Sequence, residues 1–289
     1  MTTPLKLQRF SEKYRERDGV IYSYSQLESI SSCGEKYRIL KMIEDRPDQQ
    51  PAAWLVHGNA FHAAAERSHT SNSDMRTLYA EAWAEELERQ TEVQPDLTKW
   101  ALTPRVKKTE TDLELRFAAG LIQCDAYETE KASGEWEIAE FDGQPAVEVP
   151  FQVEFATQFG PVQVRGKIDE VRITKNGTYE IVDLKTGAAQ EYKNRQLGLY
   201  GMAASEIFQE EIVWGRYWYS KLDTVPRSGD KLGRYSRYVD LRVYNREYWT
   251  LEFEMMEQMI RNEIFIPNPG DQCGRCDAAP QCRAKVLGY

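Results

Sequence analysis

The sequence predicts an α/β or α+β sandwich, with a central sheet preceded and followed by helices. Three observations carry this. The 289 residues are 41% hydrophobic and 29% charged, a balance that suits an ordered globular chain. β-Branched and aromatic residues with partial alternation concentrate between residues 146 and 186. Segments with helical apolar spacing flank that stretch on both sides.

The elements follow in order. Residues 23–43 open on Ser25-x-x-Glu28, a capping-box pattern, and read as helix. Residues 44–53 (EDRPDQQPAA) read as a polar loop, and residues 54–69 as a short helix. Residues 73–92 and 109–132 read as longer helices joined by the basic stretch TKWALTPRVKK. Strands are expected at 146–156, 162–174 and 178–186, then a helix at 189–208 and further strands at 211–220 and 235–243. A helix at 245–264 would carry Met255, Met259 and Ile260 on its apolar side. No internal repeat or low-complexity tract is visible.

Lys and Arg number 37 against 46 Asp and Glu, a formal net charge of −9. This excludes a general electrostatic coat for nucleic acid, so any such binding must use a local basic groove. Lys167, Lys185, Lys193 and Arg195 are candidates for it. Arg105, Lys107 and Lys108 form a second cluster, for which a solvated face is an equal alternative. Tyr192, Trp214 and Tyr217-Trp218-Tyr219 offer rings for base stacking, although most such aromatics belong to cores. No apolar run approaches the roughly 20 residues that span a bilayer, so no membrane partner is expected. The N-terminal MTTPLKLQRFSEKYRERDG lacks an apolar signal core, and the expected compartment is the cytoplasm.

Cysteines stand at 33, 124, 273, 276 and 282. Cys124 recurs with Leu113, Phe117 and Leu121 at helical spacing, which makes it a buried apolar residue. The remaining four, one early and three in a C-x2-C-x5-C tail, suit tetrahedral zinc or an iron–sulfur cluster. Spacing alone does not separate these two.

Asp169 lies in GKIDEV and Asp183 and Lys185 in VDLKTG, with Lys175-Asn176-Gly177 as a hairpin signal between them. A two-residue turn would point the two aspartates to opposite faces. A three-residue loop with left-handed Gly177 would set Asp169 opposite Asp183, and Lys167 opposite Lys185. Like charges across a sheet repel, so that register makes sense around a divalent cation. Pairing alone leaves both readings open. His62 and Glu66 share one helical face, with Gly58 a turn earlier to allow close backbone approach. Gln196 and Tyr200 share another face. Each pair alone would more often be structural. Glu148, on the preceding strand, is a candidate site residue, although such a residue is more often a solvated strand position.

Taken in order, Gly58-x3-His62-x3-Glu66, Gly166-Lys-Ile-Asp169, Asp183-Leu-Lys185-Thr-Gly187 and Gln196-x3-Tyr200 resemble RecB-like nucleases of the PD-(D/E)XK superfamily. The four cysteines match its iron–sulfur subgroup, which includes CRISPR-associated RecB-like exonucleases and the nuclease of AddB-type helicase–nucleases. Gly34 stands where that subgroup often has proline after the first cysteine, and the second acid is Asp183 rather than Glu. The resemblance implies a restriction-endonuclease-like mixed sheet flanked by helices, and a metal-dependent DNA exonuclease. It implies Mg²⁺ or Mn²⁺ on His62, Asp169, Asp183 and the Leu184 carbonyl. Lys185 would orient the attacking water, and Gln196 and Tyr200 would support the phosphate or Lys185. It also implies a 4Fe–4S cluster on Cys33, Cys273, Cys276 and Cys282 that staples the two ends of the chain.

The implied organisation is an N-terminal helical segment (1–53), a nuclease core (54–243) with a helical insertion at about 73–132, and a C-terminal helix with the cysteine tail (244–289). The implied substrate is single-stranded DNA or duplex ends. Recombination, repair, phage DNA processing or CRISPR adaptation, with a helicase or recombination partner, would be the setting. The competing reading is a non-catalytic DNA-binding or assembly protein with a structural four-cysteine metal site.

Overall fold

The computed structural model describes residues 20–44, 50–187, 194–221 and 234–286. The chain begins with strand β1 (Ile21–Tyr22), helix α1 (Tyr24–Ser32) and a turn of helix α2 (Gly34–Tyr37), which passes into a π turn at Arg38–Met42. Helices α3 (Ala53–Arg67), α4 (Met75–Val93) and α5 (Thr109–Lys131) follow. Then come the short strands β2 (Trp136–Ile138), β3 (Glu140–Phe141) and β4 (Gln144–Pro145), and the longer β5 (Val147–Thr157), β6 (Gly160–Thr174) and β7 (Tyr179–Lys185). Helix α6 (Arg195–Phe208), strands β8 (Trp214–Tyr219) and β9 (Val239–Asp240), helix α7 (Arg246–Arg261) and a last turn α8 (Arg283–Val286) complete it. This is a mixed α/β architecture of the expected class.

Two compact units emerge: residues 1–49, 151–166 and 245–289 form one, and residues 50–150 and 167–244 the other. In the second unit β7 pairs antiparallel with β6, from Glu170↔Val182 to Ile173↔Tyr179, and parallel with β8, from Glu180↔Trp214 to Lys185↔Tyr219. β2 flanks β6 and β9 flanks β8, both antiparallel. One face of β7 is apolar: Val182 and Leu184 pack with Trp218 against Phe61 and Ala64 of α3, Tyr79 of α4, and Cys124 and Tyr127 of α5. Beside that core lies a buried ion pair. Arg172 Nη2 stands 2.5 Å from Glu170 Oε2, and its guanidinium covers the Trp136 ring at 3.6 Å.

In the first unit β1 runs parallel to β6 through Ile21↔Gln163 and Tyr22↔Val164. Its core stacks Phe253 on Phe155, with ring centroids 5.2 Å apart, and adds Tyr22 and Trp249. Asn245 caps α7 by accepting from Tyr248 N at 2.9 Å.

Several expectations change. Residues 23–43 are not one helix: Cys33 is extended at φ −162 and separates α1 from α2. Ser23, not Ser25, caps α1, and it makes no side-chain cap bond, so the capping box does not form. On α7 the inward stripe is Trp249, Phe253, Met256 and Ile260, while Met255 is 54% exposed. The expected strand at 235–243 shrinks to β9 and a bridge at Tyr235. The turns at Gly134 (φ +68) and Gly143 (φ +71) organise strands β2 to β4, which are too short to show a periodic pattern. Among the described residues, no helix is long and apolar enough to cross a membrane.

Candidate active site

The β6–β7 turn decides the geometry. Gly177 takes φ +76, and its amide donates to Thr174 O at 2.8 Å while Thr174 N donates to Thr178 O at 2.9 Å. This is the three-residue loop, and the observed pairing is the one it dictates. One step beyond Glu170↔Val182, Asp169 comes level with Asp183. Asp169 Oδ2 accepts from Leu184 N at 2.7 Å, which ties the two strand ends together.

Helix α3 brings the imidazole. Phe61 is buried and stacks on Trp218, with centroids 6.1 Å apart, so the next residue emerges over the sheet. His62 Nδ1 lies 3.1 Å from Glu148 Oε1 and 3.6 Å from Asp169 Oδ2. Ligand atoms of His62, Glu148 and Asp169 all fall within 4.8 Å of one another. Burial opposes a charge on His62, but Asp169 and Glu148 outweigh it and push the imidazole up to about 9. Burial, with Asp183 and Glu148 adding to it against His62 and Lys185, pushes Asp169 up to about 8.

The lysine end is equally tied. Lys185 Nζ stands 2.5 Å from Asp183 Oδ2 and donates to Gln196 Oε1 at 3.1 Å. Gln196 Nε2 in turn donates to Tyr200 Oη at 3.0 Å. Burial raises the Tyr200 hydroxyl's pKa, and Asp183 and Asp169 raise it further. Asp183 is buried, and its Oδ2 lacks a directed hydrogen bond beyond the contact with Lys185. His62 and Asp169 thus form one contact group with Glu148, and Asp183, Lys185, Gln196 and Tyr200 a second, bridged by the Leu184 amide on Asp169, all in one unit. Leu184 is held there through its amide.

Of the two readings of Glu148, solvated strand residue or site residue, the structure gives the second. Its side chain is 12% exposed, and its Oε2 pairs with Lys167 Nζ at 2.8 Å. Burial works against its ionisation, but His62 and Lys167 hold the carboxyl below the usual range. Along β5 the even-numbered residues 150, 152, 154 and 156 face solvent. Glu148 departs from that alternation because it adopts φ +48, a left-handed conformation costing a non-glycine residue about 1 kcal/mol or more. No local sequence signal marks that kink.

Other candidates fall elsewhere. Glu66 is exposed. A Cβ on Gly58 would meet Thr186 Oγ1 at an ordinary 3.6 Å, so close approach does not require glycine there. Tyr217, Trp218 and Tyr219 are core residues, and Arg105, Lys107 and Lys108 are solvated. Tyr192 and Lys193 lie outside the described residues.

A family model described as the PD-(D/E)XK nuclease superfamily matches residues 21–283. The chain belongs to this superfamily. It is similar to the Gene 69 protein of Mycobacterium phage D29, 28% identical over 278 residues, covering 90% of this chain and 95% of that protein. It is also similar to the Gene 69 protein of Mycobacterium phage L5, 28% identical over 290 residues with the same coverage. The crystal structure of SSO0001 aligns over 80% of this chain and 96% of that one, at 13% identity and a TM-score of 0.35, too slight a likeness to build on.

PD-(D/E)XK nucleases use divalent metal ions, and the residues present fit one. Two carboxylates and an imidazole converge within 4.8 Å, and Asp183 on the neighbouring strand adds its negative charge at buried Asp169.

The other unit holds the cysteine group. Cys33, Cys273, Cys276 and Cys282 line one pocket of about 250 Å³, along with Lys36 and Lys285. Asn268 N donates to Cys33 Sγ and Gly270 N to Cys273 Sγ, both at 3.4 Å. Among the described residues, no three of these sulfurs lie within 4.8 Å of one another. Cys124 is a core residue, its thiol pushed up to about 12 by burial.

Proposed function

We propose that the protein is a Mg²⁺- or Mn²⁺-dependent DNA exonuclease of the RecB-like branch, acting on single strands or duplex ends in phage DNA processing. The observation that carries this reading is the convergence of His62, Glu148 and Asp169, with the Asp183–Lys185 pair on the next strand. His62, Asp169, Asp183 and the Leu184 carbonyl would hold the ion, with Glu148 as a further carboxylate. A bound ion would supply Lewis acidity and a water of lowered pKa. Lys185 would orient the attacking water and offset charge on the phosphate. Gln196, held by Tyr200, fixes the Lys185 ammonium through the 3.1 Å contact. The mycobacteriophage origin of both relatives supports the phage setting over repair or CRISPR adaptation.

In the same reading Cys33, Cys273, Cys276 and Cys282 hold a 4Fe–4S cluster. The resemblance to the iron–sulfur subgroup favours the cluster over zinc; the four cysteines lining one pocket are compatible with both.

End-labelled single- and double-stranded DNA, alongside a covalently closed circle, tests the activity. Linear substrates are expected to be degraded with Mn²⁺ or Mg²⁺, the circle spared, and chelator to stop the reaction. Equal cutting of the circle would remove the exonuclease reading, and intact DNA in every lane would remove the nuclease reading.

A further inference from the structure

We propose that Glu35 is a positioning residue that sets Cys33 and Cys282 in place for the four-thiolate group, so that the clasp between the chain ends is built before the group loads. The inference rests on the reading that these cysteines hold a cluster or a metal.

Glu35 is fully buried, two residues after Cys33. Arg38 Nε and Nη2 each donate to its carboxylate at 2.9 Å. From 248 residues away, Arg283 donates through Nε at 2.9 Å, Nη2 at 2.6 Å and its backbone N at 3.2 Å. Arg283 directly follows Cys282. One carboxylate thus receives two guanidinium forks, and the contact joins Glu35, two residues after Cys33, to Arg283, the residue after Cys282.

Further contacts close the same seam without any metal. Gly34 N donates to Ile266 O at 3.0 Å, and Asn268 Nδ2 donates to Ser32 O at 3.0 Å. A Cβ on Gly34 would sit 2.8 Å from Ile266 N, so the two backbones meet where only glycine fits. Cys276 and Cys282 pack against Ile39, Ile43 and Ala278. Backbone, apolar packing and the Glu35 forks together fix the pocket walls.

Charge and position make opposite predictions here. Four thiolates leave the loaded group anionic, and the lysines lining the pocket and the arginines of the clasp are cations. Replacing Glu35 by neutral Gln removes a nearby negative charge, so a purely electrostatic role would tighten retention. A positioning role predicts looser retention, because an amide cannot accept both forks.

The test uses the full chain purified without air, as wild type, Glu35→Gln, Glu35→Asp and Arg283→Lys. Iron, acid-labile sulfide and zinc are counted per chain, and iron release to a ferrous chelator is timed by loss of the visible absorbance. Unfolding temperatures are taken for as-purified and metal-stripped samples. Glu35→Gln is expected to release iron about tenfold to a hundredfold faster than wild type, the range typical of residues that orient metal ligands. Glu35→Asp should recover part of the loss, and Arg283→Lys, which keeps the charge but loses the fork, should fail in the same direction. The gap in unfolding temperature between loaded and stripped protein should shrink in Glu35→Gln, which a general loss of stability would not cause. Release as slow as wild type in both Glu35→Gln and Arg283→Lys overturns the inference and leaves the cluster reading standing. Zinc in place of iron keeps the inference, with zinc release read instead. A wild-type chain with neither metal overturns both.

Discussion

Lowering the pH from 7.5 to 5 should cost this fold stability through His57, and the size follows from its surroundings. His57 is 1% exposed, with Nδ1 2.9 Å from Tyr79 Oη and Nε2 3.1 Å from Gln123 Oε1. Burial first, then the charge of Arg116, lowers its pKa from 6.5 to about 4, against the opposing bond from Gln123. The native state therefore keeps this ring neutral where the unfolded chain protonates it. The unfolded chain binds more protons between those two values, so stability is full above pH 6.5 and falls with pH by about 1.4 kcal/mol per unit. At pH 5 the loss from His57 alone is about 2 kcal/mol, a large part of a stability of about 5–15 kcal/mol. Asp169 is shifted upward, from 3.8 to about 8, and acts in the opposite sense across this whole window, so the clean observable is a difference between two proteins. Urea unfolding of wild type and His57→Asn at pH 7.5 and 5 supplies it. The variant should be the less stable protein at pH 7.5, and the gap should narrow by about 2 kcal/mol at pH 5. An unchanged gap would refute the claim that His57 is held neutral.

Three further outcomes are expected. Arg172→Met leaves Glu170 charged and buried, so urea unfolding should show a loss of about 3–5 kcal/mol, partly recovered in the double variant Glu170→Gln/Arg172→Met. Gly34→Ala forces a methyl to within 2.9 Å of Phe265 Cα and should lower stability by about 1–3 kcal/mol, read by thermal unfolding. Glu148→Gln should weaken Mn²⁺ binding about tenfold or more in calorimetry, because the carboxylate count sets affinity for a hard cation.

What the sequence revealed and what it hid follow from the range of the interactions. The β6–β7 register was narrowed in the sequence to two alternatives by Lys175-Asn176-Gly177, and only the folded turn, with Gly177 left-handed in a three-residue loop, decides between them. The Lys185–Gln196–Tyr200 chain was half readable, since Gln196 and Tyr200 are a helical turn apart, but their meeting with Lys185 is tertiary. Glu148 was hidden, because its inward turn depends on a left-handed residue inside an otherwise alternating strand. Met255 misled because hydrophobicity does not say which side of a helix is covered; Trp249, Phe253, Met256 and Ile260 make the truer stripe. The break at Cys33 was masked by helical propensity on both sides. The Glu35–Arg283 contact joins residues 248 apart, a distance over which no periodicity speaks.

The central claim is that a cation held by His62, Asp169 and Asp183, with Glu148 beside them, works together with the Lys185 ammonium. Cleavage of end-labelled linear DNA by Lys185→Ala, with Mn²⁺ affinity measured on the same preparation, tests it most directly. The account predicts retained Mn²⁺ binding and a cleavage rate lower by about a hundredfold to ten-thousandfold. Cleavage at the parental rate by a folded, metal-binding Lys185→Ala chain would contradict it.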